Sequence, residues 1–201
     1  VRAGIPVFVD KPLAMSVASG RRFLALRKRC QAPVVTLSTI PHQASVKTIR
    51  ARLQEIGPLR AVHLEGPGDP RSPYGGVFFY GIHLADLLVE LLGTDALDVA
   101  AALHCPTCAC SLRCAGDLNV TLGMSGVKGW SVSAVGAEGG FHEPVAIDAN
   151  IFLTTTRIFT TMFRTRKEPF SEERMLAPIA LLEAIDKALR SGKRTRVAPV
   201  A

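Results

Sequence analysis

Apolar and polar positions follow three different rhythms along this chain. The segment "GIPVFVDKP" is a short apolar run broken by Pro12, which predicts a strand ending in a loop. Ser16 then stands where a helix cap belongs, with Val17, Phe23, Leu24 and Ala25 among the apolar positions of a helix reaching about Lys28. "APVVTLS", residues 32 to 38, is β-branched and bounded by loop residues, so a second strand is predicted. Strand, helix, strand at this spacing is a right-handed βαβ unit with parallel strands.

A helix is expected from about Ala44 to Glu55, closed by Gly57 and Pro58, and "LRAVHLEG" alternates as a strand should. "PGDPRSPYGG" is loop chemistry, and "VFFYGIHLADLLVELLG" after it reads as a long apolar helix punctuated by Gly93. From 97 to 149 the rhythm shortens to "LDVAAALHC", "CACSLRC", "LNVTLGM", "WSVSAVGA" and "PVAIDA". Gly-containing turns separate these runs, as in an antiparallel meander, and "GAEGGF" at 136 to 141 reads as one of the turns. "NIFLTTTRIFTTMFRT" favours strand by its Thr and Ile, but the spacing of Ile151, Phe152, Thr155, Ile158, Phe159 and Met162 favours a helix. The last element is plain: Ser171 with Glu172 and Glu173 opens a helix that runs to about Ser191 and stops at Gly192.

One helix does not fit a simple amphipathic pattern. The apolar stretch at 75 to 93 carries His83, Asp86 and Glu90 at helical spacing, either as its wet side or as a chemical stripe.

Composition narrows the classes. Over 201 residues, 48% apolar and 20% charged describe a packed globular protein of one large or two modest domains. No run of about 18 uncharged apolar residues occurs, and the first residues lack the charged and long apolar regions of a secretory signal. The expectation is a soluble, cytoplasmic protein without a membrane partner. The net charge of +7 is spread over "RRFLALRKR", "RTRK" and "RSGKRTR", with no aromatic stacking platform among them, so nucleic acid is not an expected partner. Five cysteines are an odd number, against a disulfide framework. Cys105, Cys108, Cys110 and Cys114 give C-x2-C-x-C-x3-C, close to an iron-sulfur run. On a strand, however, Cys108, Cys110 and Cys114 share a face that Cys105 does not, which is poor geometry for four ligands. Small buried cysteines are the expected reading, with a metal-binding module kept as an alternative.

Four stretches together carry a family resemblance. "VFVDKPLA" resembles the Glu-Lys-Pro-hydrophobic-Ala motif at the last strands of the nucleotide-binding domain in the Gfo/Idh/MocA family of nicotinamide-dependent sugar and polyol oxidoreductases. "EIGPLRAV" resembles that family's entry into its large sheet, and "GGVFFYGIHLADLLVELLG" its Gly-rich lead into Gly-x-His-x-x-Asp. "RTRKEPFSEERMLAPIALLEAIDKALRSGKRTRV" resembles its closing helix and tail. The resemblance covers nearly the whole chain.

It implies a fold that joins α/β and α+β parts: the end of a Rossmann-type parallel layer, then a mixed, largely antiparallel open sheet covered by helices on one face. Residues 1–40 would be the C-terminal remnant of the dinucleotide-binding domain and 41–170 the α+β substrate and oligomerisation domain. Residues 171–201 would be a closing helix and basic tail packing back toward the Rossmann part. No G-x-G-x-x-G follows a strand, so the expectation is a C-terminal piece that by itself binds cofactor poorly and is inactive.

The resemblance further implies NAD or NADP as cofactor, a sugar or polyol substrate, and self-association through the open sheet. Removing a hydride from a carbinol also requires the hydroxyl proton to leave. The site therefore needs a base titrating near neutrality and a cation for the developing alkoxide. His83 suits the first role and Lys11 the second, with Asp86 on the same helical face as a possible orienter of the imidazole. Asp10, Lys11 and Pro12 are the expected cofactor-side residues, with Pro12 placing Lys11 in extended geometry and allowing a cis bond. Many family members have an acidic residue four positions before the histidine; Phe79 stands there, and Asp10 replaces the usual glutamate. These departures keep a second class open, a non-catalytic sensor or assembly protein on the same scaffold. Arg71 and Tyr74, in the loop before the site, are plausible substrate contacts or plain surface residues.

Overall fold

The computed structural model describes residues 1–93, 96–104 and 107–200, with Asp117 described by its backbone alone. Cys105, the first member of the cysteine cluster, lies outside the described residues. Strand β1 (Val7–Phe8) pairs in parallel with β2 (Val34–Val35), Val7 opposite Val34, and helix α1 (Val17–Arg29) connects them. Ser16 caps α1 by accepting the Ser19 N–H at 3.2 Å, while Arg27, Lys28 and Arg29 sit at its negative end. A short 3-10 turn, Ile40–His42, leads into α2 (Ala44–Glu55).

The second layer is a seven-stranded sheet. Its strands are β3 (Leu59–Pro67), β4 (Ala96–His104), β5 (Thr107–Cys114), β6 (Asn119–Ser125), β7 (Trp130–Gly136), β8 (Gly140–Val145) and β9 (Thr195–Arg196). They lie in the order β8-β7-β3-β6-β5-β4-β9, antiparallel throughout except for the parallel pair β3 and β6. Helix α3 (Val77–Leu92), α4 (Leu153–Thr165) and α5 (Glu172–Ser191) complete the fold. Alternation along β6 buries Val120, Leu122 and Met124 against the helices and leaves the intervening residues on the open face.

Helix α3 is buried on nearly all sides because it lies between the sheet, the 3-10 turn and α5. Gly81 permits this approach: a Cβ there would lie 3.0 Å from Met124 Cε and 3.2 Å from Leu182 Cδ2. Helix α5 also ties the two layers together. Glu183 accepts the Val17 N–H at the start of α1 at 2.8 Å, and just before α5 Glu168 accepts the Val34 N–H of β2 at 2.8 Å. The architecture is the mixed, largely antiparallel sheet with helices on one face beside a parallel pair.

The clearest difference from the sequence reading is at β8. Only Pro144 and Val145 of "PVAIDA" are strand, whereas Gly140 and Phe141 of the expected turn already pair with β7. The chain leaves the sheet after Val145 to cap α2. The Ala44 N–H donates to the Asp148 carboxylate at 3.1 Å, Ser45 Oγ donates to the Ala146 carbonyl, and the Asp148 N–H donates to Gln43 Oε1 at 2.8 Å. Residues 146 to 148 thus satisfy helix-end groups that a continued strand would leave unpaired.

Candidate active site

The loop after β1 carries Asp10, Lys11 and Pro12 past the C-terminal end of the parallel pair, where open α/β sheets gather their ligands. The Lys11–Pro12 peptide is cis. Lys11 reaches the first turn of α3: its Nζ donates to the Phe79 carbonyl at 3.1 Å and lies 5.6 Å from the ring centroids of both Phe79 and Tyr80. Burial holds the Lys11 amine below its usual range, and the neighbouring Asp10 carboxylate opposes that shift.

His83, one turn further along α3, lines the same cleft as Asp10 and Lys11. Its Nδ1 lies 2.7 Å from Ser38 Oγ, at the end of the loop after β2, and Ser38 Oγ also accepts the Ile40 N–H at 3.1 Å. The imidazole packs edge-on to Trp130, centroids 5.7 Å apart, and beside Tyr80 at 5.8 Å. Burial first, and then the Lys11 charge, push its pKa down to about 3. Both influences favour the neutral ring.

Asp86 takes a different part from the one expected of it. Its carboxylate pairs with Arg174 on α5 and accepts the Ser38 N–H at 2.8 Å. It fixes the backbone of the residue that holds His83, while the hydroxyl of Ser38 makes the contact with the imidazole. Asp86 and His83 share a helical face in sequence, but i, i+3 spacing leaves Asp86 nearer α5, where a buried guanidinium captures it. Glu90, the third residue of the stripe, joins the same cluster through Arg174 at 3.1 Å and through Arg50. Burial would raise the Glu90 pKa, but its bonds to the two arginines hold it below the usual carboxylate range.

The cleft has a volume of about 490 Å³, within the usual range for small-ligand sites. One wall comes from Phe8 on β1 and Phe159 on α4, stacked at 4.7 Å with an interplanar angle of 18°. Trp130 at the start of β7 closes it beside His83, and Gly66 on β3 makes this possible, since a Cβ there would overlap Trp130 Cδ1. Ser38, Trp130, Phe8 and Phe159 were not legible as site residues. Strand alternation gives the face a side chain takes, but not the helix that will meet it.

Arg71 and Tyr74 do not line the cleft; Tyr74 is 75% exposed and packs on Phe79 at 5.2 Å. Phe79 points outward into that aromatic group, contributing only its carbonyl to Lys11. Cys108 and Cys110 lie side by side on the buried face of β5 with sulfurs 3.6 Å apart. This contact, and then burial, push the Cys110 thiol up. Among the described residues, no three His, Cys, Asp or Glu side chains converge as a metal ion requires, and no helix is long and apolar enough to cross a membrane.

No family model matches the sequence, and no curated protein matches it. Solved structures do match. A probable dehydrogenase from Thermotoga maritima superposes with a TM-score of 0.80 at 17% identity, over 97% of this chain and 74% of its own. A myo-inositol 2-dehydrogenase from Lactobacillus plantarum gives 0.81 at 13%, over 98% and 74%. A scyllo-inositol dehydrogenase from Lactobacillus casei, solved with NAD(H) and scyllo-inositol, gives 0.80 at 12%, over 96% and 73%. From its parallel pair to its closing helix, the chain thus has the fold of about three quarters of each of these dehydrogenases.

Proposed function

We propose that this chain carries the substrate side of an NAD(P)-dependent oxidoreductase acting on a hydroxyl-bearing carbon. The supporting observation is the pairing of Lys11 with His83 in one enclosed cleft at the end of the parallel strands, in a chain whose structural neighbours include a dehydrogenase solved with NAD(H).

The nicotinamide end of such a cofactor suits the residues present. Two N–H groups of Lys11 remain beyond its bond to Phe79, Asp10 offers a carboxylate, and Phe8 and Leu37 offer apolar surface at the same edge. Asp10, Lys11 and Pro12 are the residues proposed to meet it. When bound, the cofactor supplies the hydride acceptor or donor.

The proton is the work of this chain. Lys11 is the group that gives up or takes the proton on the substrate oxygen, and burial lowers its pKa, which eases release of that proton. In this proposal the Ser38 hydroxyl, which accepts the Ile40 N–H, donates its own proton to His83 Nδ1. The imidazole proton then sits on Nε2 and holds the substrate oxygen by a hydrogen bond. In this proposal Lys11 is the acid and base, and His83 the positioned donor. Asp86 acts only through Ser38, as a positioning residue.

The test is NAD(P)-linked turnover by the intact protein on a panel of alcohols and ketones, with Lys11→Met and His83→Gln variants. Lys11→Met is expected to lower kcat by about 10²–10⁴-fold, the usual contribution of a general acid or base. The loss in Lys11→Met should be greater than in His83→Gln. A fully active Lys11→Met variant overturns the assignment.

Tight NAD(P)H binding without turnover on any member of the panel favours the sensor or assembly reading. Self-association through the open sheet is a further part of this proposal.

A further inference from the structure

The walls of the cleft are mostly apolar. Eight of its fourteen lining residues are large apolar or aromatic, and beyond His83 and Trp130 the surface is built from Phe8, Ile151, Phe152 and Phe159. The polar groups cover less of the surface, and the charged ones are gathered at one end. Lys11, Asp10 and the free nitrogen of His83 form that end, with one Lys11 N–H already committed to the Phe79 carbonyl. Along the wall remain the Tyr80 hydroxyl, the Trp130 indole N–H and the threonines, and the Thr155 hydroxyl spends its proton on the Phe152 carbonyl at 2.9 Å.

A hydroxyl group brings one donor and two acceptor positions, and a polyol brings them on every carbon. Enclosed against Phe8, Phe159 and Trp130, most of those hydroxyls would exchange water for carbon, which disfavours binding. A ring with its oxygen at one edge meets the opposite situation: the polar edge finds Lys11 and His83, and the apolar body finds aromatic faces.

We propose that the substrate is an alicyclic or aryl-fused compound, apolar over most of its ring and carrying its hydroxyl or ketone at one edge, rather than a sugar or polyol. The inference rests on the reading of the cleft as the substrate site of an oxidoreductase, and it fixes the class of molecule that site accepts. The ketone oxygen lies at Lys11 and His83, and the ring lies along Phe152, Phe159 and Trp130.

The chain has a single tryptophan, and it lines this cleft, so its fluorescence reports occupancy directly. The experiment titrates the intact protein with 2-tetralone and, separately, with myo-inositol, following Trp130 emission. Saturable quenching by 2-tetralone is expected, with a midpoint at least tenfold below that of any myo-inositol response. Phe152→Ser, at a residue 65% exposed and so safe for folding, is expected to weaken 2-tetralone about threefold or more. Phe159→Ala is expected to weaken it about tenfold. Myo-inositol binding as tightly as 2-tetralone, or quenching by 2-tetralone that never saturates, overturns the proposal.

NAD(P)H-linked turnover of the same two compounds separates this inference from the one beneath it. Saturable 2-tetralone binding without its reduction supports the ligand class and sinks the oxidoreductase reading. Oxidation of myo-inositol in preference to reduction of 2-tetralone sinks the ligand class and leaves the oxidoreductase reading standing.

Discussion

Helix α3 carries two sets of polar side chains one turn apart, and they meet opposite environments. His83 faces a cleft whose other charged members, Lys11 and Asp10, leave it without a carboxylate partner, and it is neutral. Asp86 and Glu90 meet Arg174 and Arg50 and remain in an ion-paired cluster against α5 and α2. Both sets are enclosed, and in both the charge balance is set by elements far away in sequence. The difference is that the ion cluster is closed by its own partners, whereas the cleft leaves Lys11 donors and an imidazole nitrogen uncommitted. Satisfied charges hold structure; uncommitted ones are available to a ligand.

The comparison is broken most severely at the ion cluster. Arg174→Met leaves the Asp86 carboxylate, whose side chain is 5% exposed, without its counter-charge. It is expected to cost about 3–5 kcal/mol of unfolding free energy, read from denaturant titration, as removal of one partner of a buried pair does. Lys11→Met gives up one exposed hydrogen bond, to the Phe79 carbonyl, so its cost to folding is expected to be about 1 kcal/mol or less even as activity collapses. Equal losses of stability in the two variants would erase the distinction between the regions.

Gly66→Val drives a side chain into Trp130 and is expected to cost about 1–3 kcal/mol, the usual penalty for overpacking, with a shift in tryptophan emission. Unchanged emission would mean that Gly66 does not hold the cleft wall.

The pH dependence of stability follows from His83. Its folded pKa lies at about 3, whereas an unfolded imidazole titrates near 6.5. Above about pH 6.5 the ring is neutral in both states and contributes nothing. As pH falls through that value the unfolded chain takes the proton first, so acid favours unfolding down to the folded pKa. Between pH 6.5 and 5 the protein is expected to lose on the order of 2 kcal/mol more than a His83→Gln variant. Parallel stability curves for the two proteins would contradict the neutral, buried histidine. Ser38→Ala removes two hydrogen bonds, to His83 Nδ1 and from the Ile40 N–H, and is expected to cost about 1–3 kcal/mol, with a looser imidazole as its second sign.

Much of this was legible in the sequence where local chemistry decides. Ser16, Ser171, Gly93 and Gly192 mark helix ends because caps satisfy backbone groups within a few residues. α4 emerged from a Thr-rich stretch because its apolar spacing matched a helix in spite of propensity. Lys11 and His83 could be found through the motifs that contain them, and they do share a cleft. What could not be read depends on distant partners. Arg174 is 88 residues from Asp86, and Ser38 is 45 from His83, so neither contact leaves a local trace. The imidazole near neutrality was an inference from its free pKa, and burial beneath Trp130 and beside Lys11 is a tertiary property that no spacing reveals.

The most direct measurement is a ¹⁵N NMR titration of the histidine side chains, with His83 assigned from the signal lost in His83→Gln. Neutral His83 between pH 8 and 5, with its titration midpoint at about 3, is the predicted result. A midpoint near 6.5, the value of a free imidazole, would contradict it and return the acid and base role to His83.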